Sequence, residues 1–389
     1  MVPWVIRLLH VTTVPMSLIF LEGHVEFMRD RGIEFYALSS LGPELDAFGK
    51  KHGVPTYAVP MARRITPLQD LRAVRQMAAV MRRIRPDIVH AHTPKGGLLG
   101  MIAATMARVP VRIYHMRGLP FQGATGMKHW LLQMTEWVAC RLAQRVFCVS
   151  HSIRDVAVAE RLCSAEKIAV PANGSGQGVD ALGRFDPDRV GDAGRRRRAE
   201  LAIPAEARVL GFVGRLVRDK GILELEEAWR QLRQDHPSLH LLLVGPWEDQ
   251  DPVPSDVRDR LERDPRVHLL GLDWDTPSLY AAMDIVVLPT YREGFPNVAL
   301  EAGAMGRPVV ATRVPGCVDA IEDEGTGTLV PPQNAAALGQ AVGSYLQHPP
   351  LARRHGARAR QRVLSLFLPE QIYAAIHEEY LRLIEARSA

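Results

Sequence analysis

Short apolar runs alternate with helix-forming segments along almost the whole chain, and this alternation restricts the fold more than any other feature. Ile285–Leu288, Val309–Ala311 and Arg145–Val149 are short, mostly apolar and rich in valine and isoleucine. Runs of this kind are typical of strands buried on both faces of a parallel sheet. Strands that alternate with helices place helices on both faces of such a sheet. The sequence therefore predicts an α/β fold with doubly wound sheets.

The alternation is interrupted once, between residues 173 and 198, and begins again at Arg208–Val213. The interruption is glycine-rich and ends in four arginines, Arg195–Arg198, which could contact phosphate but are more readily explained as a solvated helix face. A chain of 389 residues is long for one domain and ordinary for two. We expect Rossmann-like domains in residues 1–180 and 200–365, a linker around 175–200, and a C-terminal helix in 366–389.

The basic residues are concentrated in the first domain. Residues 1–180 carry 22 lysines and arginines against 13 aspartates and glutamates. A basic half suggests that this half faces an anionic surface. The four cysteines show no CxxC or metal-ligand spacing, so we expect free thiols in a reducing compartment, the cytoplasm. No stretch reaches the roughly 20 apolar residues of a membrane-spanning helix.

Residues 284–306 contain a strand, a glycine turn, a helix start and two carboxylates. After the strand, Glu293 and Gly294 break the apolar pattern, and a helix can begin at Pro296 or Asn297. The amino end of such a helix attracts anions. Glu293 and Glu301 would lie beside that anion, where carboxylates can hold hydroxyl groups, as in a nucleotide sugar. A surface turn with solvated glutamates explains the local sequence equally well.

Arg215 and Lys220 lie five residues apart in the turn after the first strand of the second domain. Two cations at this position can neutralise a diphosphate leaving group as charge develops on it. Taken alone, the spacing is a weak signal that surface charge explains more often.

Together these segments resemble the motifs of retaining glycosyltransferases of family 4, especially bacterial enzymes that build capsule, exopolysaccharide or lipid-linked glycans. The resemblance implies the GT-B architecture, in which two doubly wound domains face each other across a cleft and the last helix returns to the first domain. It is carried by Glu293–Glu301, Arg215–Lys220, the loop Pro315-Gly316-Cys317, and the segments His90–Gly97 and Arg117–Pro120.

The resemblance also implies roles for individual residues. Arg215 and Lys220 would bind the diphosphate of the donor, Glu293 the hydroxyls of its sugar and Glu301 the nucleotide ribose. Family members often carry a histidine after the fifth strand of the first domain, and here His115 or Arg117 takes that place. Residues expected to contribute backbone groups or to lie near the base are Gly214, Leu270, Gly271, Gly294, Phe295 and Asn297.

These roles predict transfer of a hexose or N-acetylhexosamine, with retention, from a nucleotide sugar, expected to be UDP-linked, to a lipid-linked saccharide or polysaccharide precursor. No Asp-x-Asp motif or His/Cys cluster with ligand spacing indicates a metal, so no metal or other cofactor is expected. Two alternatives stay open. An epimerase of the same architecture would convert its nucleotide sugar without an acceptor, and a non-catalytic sugar-nucleotide-binding subunit would convert nothing.

The basic first domain predicts a peripheral position at the anionic inner face of the plasma membrane. Alternatively, some of these cations only solvate a helix end. Nucleic-acid binding is not expected, since no recognisable module is present and aromatic residues are few. The candidate membrane contacts are Lys50, Lys51, Arg63, Arg64, Arg82, Arg83 and Arg85.

Overall fold

The structure, a computed structural model, describes residues 5–62 and 64–388. It divides into two units. Unit 1 contains the described residues up to Gln177 and from Pro369 onward, and unit 2 runs from Gly178 to Leu368. Arg63, one of the candidate membrane contacts, lies outside the described residues.

Unit 1 is built on a seven-stranded parallel sheet with the order β3-β2-β1-β4-β5-β6-β7. The strands are β1 (Ile6–Val11), β2 (Ile33–Ser39), β3 (Thr56–Ala58), β4 (Ile88–His92), β5 (Val111–Met116), β6 (Arg145–Cys148) and β7 (Ile168–Ala169). Every residue of β4 is buried, as expected for a strand covered on both faces.

Helices connect these strands and cover the sheet. They are α1 (His24–Arg29), α2 (Pro43–His52), α3 (Pro67–Ile84), α4 (Pro94–Met106), α5 (Gly126–Leu142) and α6 (His151–Ala159). The sequence predicts a single helix that follows the loop after β1 and runs to about Arg31, and this prediction was wrong. Instead, a 3-10 segment at Pro15–Leu21 precedes α1, because Gly23 adopts a φ of 77° that interrupts a regular helix.

Unit 2 contains a six-stranded parallel sheet with the order β10-β9-β8-β11-β12-β13. The strands are β8 (Arg208–Val213), β9 (Leu239–Val244), β10 (Val267–Leu269), β11 (Ile285–Leu288), β12 (Val309–Thr312) and β13 (Gly327–Val330). The predicted α/β class with two doubly wound parallel sheets is confirmed.

The helices of unit 2 begin in the segment that was expected to be a linker. They are α7 (Pro187–Val190), α8 (Ala193–Glu200), α9 (Ile222–Asp235), α10 (Ser255–Arg263), α11 (Thr276–Ala282), α12 (Asn297–Ala304), α13 (Cys317–Ala320), α14 (Ala335–Gln347) and α15 (Pro349–Leu366).

The prediction of a linker at 175–200 was therefore wrong, because from Gly178 onward this segment belongs to unit 2. Helix α8 packs on α11 so closely that a Cβ at Gly194 would lie 2.6 Å from the carbonyl oxygen of Ala281. Arg198 pairs with Asp284 at 2.9 Å, and Arg197 pairs with Asp273 at 3.2 Å. These arginines attach the segment to unit 2 rather than solvating it.

The C-terminal helix α16 (Pro369–Ser388) belongs to unit 1, whereas helices α7 to α15, which precede it along the chain, belong to unit 2. Ile372, Ile376, Tyr380 and Ile384 are buried in one cluster with residues of the unit 1 sheet such as Leu8. The spacing of four residues places all four side chains on one helix face. This helix therefore completes the core of unit 1.

Ile376→Ala should destabilise unit 1 by about 3 kcal/mol, because it leaves a cavity between α16 and the sheet. Amide hydrogen exchange in β1 and β4 measures the change within unit 1 alone. The exposed neighbour Glu378 supplies the matched control, and Glu378→Ala should change stability by less than about 0.5 kcal/mol. Equal protection in both variants would show that unit 1 does not depend on this contact.

Candidate functional site at the strand ends

The strand order of unit 2 reverses between β8 and β11, which are neighbours in the sheet. The chain continues from β8 toward one edge and from β11 toward the other. In doubly wound sheets, ligands bind outside the carboxyl ends of the strands at such a reversal. The segments that follow β8 and β11 touch each other there: the N–H of Tyr291 donates to the carbonyl of Asp219 at 2.8 Å.

Each of the two predicted diphosphate ligands is paired with a carboxylate. Nη1 of Arg215 lies 2.8 Å from Oε2 of Glu248, and Nζ of Lys220 contacts Oε1 of Glu293. The side chains of Lys220 and Glu293 are only 18% and 16% exposed. The structure thus brings together residues that are 73 positions apart in the sequence. Glu248 was not identified from the sequence, because no motif marks it in the segment after β9.

Two glycines let the turns at this edge approach each other. Gly245 has a φ of 141°, and a Cβ there would lie 1.9 Å from the carbonyl oxygen of Gly214. Gly316 has a φ of 81°, and a Cβ there would lie 2.4 Å from the carbonyl oxygen of Gly294. Side chains at these positions would separate the turns after β8, β9, β11 and β12. The glycines therefore keep the backbone groups of the candidate site close together.

Helix α12 begins at Asn297, directly after this loop. The preceding residue but one, Phe295, packs its ring on Phe367, with the ring centroids 5.5 Å apart. This contact holds the loop against the segment that follows α15. The amino end of α12 lies at the edge of the sheet where the strands end. The expected start of the helix at Pro296 or Asn297 agrees with the structure.

Glu301 lies one turn into α12, and the hydroxyl of Tyr280 donates to its Oε2 at 2.8 Å. Burial raises the pKa of Glu301 to about 7. Burial thus disfavours the charged form of this carboxyl group, and a ligand that donates hydrogen bonds to it favours the ionised form. Tyr280 was not identified from the sequence, since it lies on α11 without a motif around it.

Leu270 and Gly271 follow β10 at the same edge of the sheet. The N–H of Leu270 donates to the carbonyl of Leu243 at 3.0 Å, and Gly271 forms a bridge with Gly245. The structure therefore places both residues beside the turn that carries Gly214. Their predicted contact with a nucleotide base stays a prediction.

In unit 1, the two alternatives for the position after the fifth strand lie in different surroundings. His115 is fully buried within β5, and its Nδ1 lies 3.1 Å from Nε2 of His90. Arg117 lies just beyond the end of β5, partly exposed, and its Nε donates to Nδ1 of His92 at 3.3 Å. Arg117 is therefore the residue at the strand end, and His115 belongs to the interior.

His115 is part of a histidine cluster that was not identified from the sequence. His10, His90 and His92 each offer a ring nitrogen, and these atoms lie within 4.8 Å of one another. Burial lowers the pKa of all three, so the imidazoles are neutral near pH 7 and chemically able to bind a metal ion. In the structure, Nδ1 of His10 lies 2.7 Å from Nε2 of His92, which is a hydrogen-bond distance.

The cluster escaped notice because strand pairing, not sequence spacing, assembles it. His10 of β1 pairs in register with His90 of β4, and His92 pairs with His115 of β5. Helix α16 covers this face, where the hydroxyl of Tyr380 lies 2.5 Å from Nδ1 of His90.

Unit 1 also contains an apolar groove of about 460 Å³ beside the carboxyl ends of β1 and β4. Its polar lining includes Thr13, Thr93 and Lys95. The hydroxyls of the two threonines lie 2.7 Å apart, and Lys95 pairs with Asp70 at 2.6 Å. The groove was not identified from the sequence, because separate segments form it. Its apolar lining includes Val14, Ile65, Leu98, Leu99, Pro120, Leu131 and Leu132.

Comparison with known protein families matches both units. Residues 22–174 match the family model described as "Glycosyl transferase 4-like domain", and residues 207–348 match "Glycosyl transferases group 1". Together these matches cover well over half of the chain. The chain belongs to glycosyltransferase family 4.

Two relatives span much of this glycosyltransferase. The capsular polysaccharide biosynthesis glycosyltransferase CapM of Staphylococcus aureus is 29% identical over 374 residues, which is 96% of each chain. The UDP-Gal:alpha-D-GlcNAc-diphosphoundecaprenol alpha-1,3-galactosyltransferase of Escherichia coli is 27% identical over 281 residues, 71% of each chain. The similarity to the first relative thus extends over both units.

Among solved structures, Anabaena Alr3699/HepE in complex with UDP-glucose has a TM-score of 0.79 and 22% sequence identity. The match covers 97% of this chain and 99% of that chain. It shows that this chain has the GT-B fold predicted from the family resemblance.

Glu301→Gln should raise the stability of unit 2 at pH 8 by up to about 3 kcal/mol and at pH 5 by less than about 1 kcal/mol. The pKa of Glu301 is about 7 in the folded chain, above the 4.5 of an ordinary glutamate, so ionisation between these values favours the unfolded state. The free energy of unfolding therefore falls as pH rises through this window. The glutamine side chain does not ionise, so the variant does not lose this stability.

Urea denaturation at pH 5 and pH 8 measures the effect. The exposed Glu206 gives the matched control, and Glu206→Gln should change stability by less than about 0.5 kcal/mol at either pH. An equal effect of Glu301→Gln at both pH values would contradict the raised pKa.

Proposed function

We propose that this glycosyltransferase moves a hexose or N-acetylhexosamine from a UDP-sugar to a lipid-linked saccharide or polysaccharide precursor in bacterial surface-glycan synthesis. The transfer retains the anomeric configuration and needs no metal. The protein acts in the cytoplasm, peripherally at the inner face of the plasma membrane. One observation carries the proposal: Arg215, Lys220, Glu293 and Glu301 lie at the strand-order reversal of unit 2.

The ion pairs support a site for an anionic donor. Arg215 and Lys220 already hold carboxylates, from Glu248 and Glu293. A diphosphate can take the place of these carboxylates, because its oxygens accept the same charge-assisted hydrogen bonds. Glu293, once released, is free to accept hydrogen bonds from the hydroxyls of the donor sugar. The exchange would couple binding of the diphosphate to recognition of the sugar.

The nucleotide portion fits the other carboxylate. Burial raises the pKa of Glu301 and so disfavours its charged form. Ribose hydroxyls that donate hydrogen bonds to the carboxylate would stabilise that form again. That Alr3699/HepE was crystallised with UDP-glucose supports a uridine nucleotide. Leu270 and Gly271 would then lie near the base.

Leaving-group stabilisation would come from the chain itself. As the bond from the sugar to the diphosphate breaks, negative charge grows on the phosphate oxygens. Arg215, Lys220 and the amino end of α12 are positive groups that stabilise this charge without a divalent ion. The family resemblance supports retention, with the leaving diphosphate assisting attack from the same face of the sugar.

The acceptor would bind in unit 1. The groove beside β1 and β4 combines an apolar lining with the Lys95–Asp70 ion pair, in which a phosphate can take the place of the carboxylate, and this suits a lipid-linked molecule that carries phosphate. The Escherichia coli relative is named for a diphosphoundecaprenol-linked acceptor, and this supports the same acceptor class here. Arg117, whose Nε donates to Nδ1 of His92, would act as a fixed cation near the sugar or the acceptor, and His115 would stay a core residue behind the site.

Lys220→Ala and Arg215→Ala should each lower kcat/KM at least about 30-fold, or about 2 kcal/mol, because each removes a cation that stabilises the leaving diphosphate. The exposed neighbour Arg218 is the control, and Arg218→Ala should change kcat/KM less than about threefold. A radiolabelled sugar-transfer assay with the donor found by screening UDP-, GDP- and ADP-sugars measures all three. Full activity in either site variant would refute the diphosphate assignment.

Activity should persist in EDTA at the level seen without it, because fixed cations of the chain take the role of a metal. The same assay, run with EDTA and then with added Mn²⁺, tests this. Complete loss in EDTA with recovery in Mn²⁺ would refute metal independence. Conversion of UDP-N-acetylglucosamine without acceptor would instead indicate the epimerase alternative.

A further inference from the structure

Helix α5 exposes an unusual set of large apolar side chains. Met127, Trp130, Leu131, Met134 and Trp137 have exposed fractions between 37% and 85%. Their spacing of three, one, three and three residues places them on one face of the helix. A surface helix of a globular protein normally exposes polar residues to solvent, whereas this exposed face is apolar. We name these five side chains the apolar stripe.

The opposite face of α5 is bound firmly to unit 1. Ala139 and Cys140 are buried in the core, and Glu136 is buried and accepts a hydrogen bond from Tyr114 at 2.6 Å. The stripe is therefore exposed because of how α5 is seated, and an axial rotation that hid it would expose the buried side.

The apolar surface extends beyond α5. Leu131 also lines the apolar groove, and Ile65 lines it from the far side. Next to Ile65, Leu68 and Leu71 at the start of α3 are 80% and 49% exposed. The stripe, the groove and the first turns of α3 thus form one apolar surface that leads to the carboxyl ends of β1 and β4.

Positive charge accompanies this surface. The exposed cations on the two helices and the segment before α3 include Arg64, Arg72, Arg75, Lys128 and Arg141. The two helices contain only two acidic residues, and both are engaged. Asp70 pairs with Lys95, and Glu136 is buried. The exposed charges on the two helices are therefore positive, and one exposed carboxylate, Glu160 at the end of α6, borders α5 and accepts a hydrogen bond from Gln133 at 2.8 Å.

We propose that the apolar stripe of α5 lies in the headgroup region of an anionic lipid bilayer, with the cations around it on lipid phosphates. Tryptophan is favoured at that depth because its ring is apolar and its N–H is polar. Exposed cations add attraction to anionic lipid. None of the helices in the described part of the chain is long and apolar enough to cross a bilayer. The inference deepens the proposed function and rests on its peripheral membrane location.

Of the membrane contacts that were predicted from the sequence and that the structure describes, this surface includes Arg64. Arg82 and Arg83 lie in the last turn of α3, an 18-residue helix, so they are about 20 Å from the apolar residues at its start. Lys51 of α2 pairs with Glu22 at 2.8 Å. The seated helix α5, rather than these cations alone, would set the depth of the protein in the bilayer.

The docked arrangement would also place the acceptor. A lipid-linked molecule could pass its chain from the bilayer along the groove, toward Lys95 and the ends of β1 and β4. The reacting saccharide would then be held at the strand ends while its lipid remains partly in the membrane.

Vesicle co-sedimentation tests the docking surface. The doubly substituted Trp130→Ala/Trp137→Ala protein should show at least a tenfold lower partition coefficient onto phosphatidylglycerol vesicles than the natural chain. Trp274→Ala is the matched control, since Trp274 is an exposed tryptophan of unit 2, and it should change the coefficient less than twofold. Phosphatidylcholine vesicles should bind the natural chain at least fivefold more weakly.

Unchanged binding of the double variant to phosphatidylglycerol would overturn the proposal. So would sedimentation velocity showing a lipid-free dimer that the double substitution dissociates, because a second copy would then cover the stripe. Transfer of sugar to a water-soluble short-chain acceptor distinguishes a failure of the membrane-docking proposal from a failure of the proposed function. The double variant should retain the natural rate there, whereas vesicle binding without any transfer would count against the function alone.

Discussion

The reversal of strand order between β8 and β11 determines where the chemistry of unit 2 can lie. It brings the turn after β8, with Arg215 and Lys220, next to the loop after β11, with Glu293. Two cations and their carboxylate partners then share one edge of the sheet. The ion pairs hold the side chains in place before any donor binds, and they define positions for charges of the opposite sign. The proposed donor site depends on this arrangement.

Much of this could be predicted from the sequence, because local patterns determine it. The strands of unit 2 are short apolar runs, and the three predicted at Arg208–Val213, Ile285–Leu288 and Val309–Ala311 lie within a residue of those positions. Glu293, Glu301, Arg215 and Lys220 stand in motifs at strand ends, and the resemblance to family 4 assigned all four to one donor site. Partners without a motif, such as Glu248 and Tyr280, became visible only in three dimensions.

Other features depend on contacts that no local pattern encodes. The segment before residue 200 looked like a linker because it is rich in glycine and arginine. In the structure, Gly194 allows a close helix contact, and Arg198 finds a carboxylate 86 positions away. The histidine cluster likewise needs the pairing of β1, β4 and β5. The apolar stripe of α5 was missed for a different reason: periodicity shows that a helix has an apolar face but not whether that face is inside.

The most direct measurement of the central claim is a crystal structure of the chain soaked with a UDP-sugar. The account predicts that Nζ of Lys220 leaves Glu293 and that it and the guanidinium of Arg215 lie about 3 Å from the diphosphate oxygens, with Glu301 on the ribose hydroxyls. A donor bound elsewhere, with the Lys220–Glu293 and Arg215–Glu248 pairs intact, would contradict it.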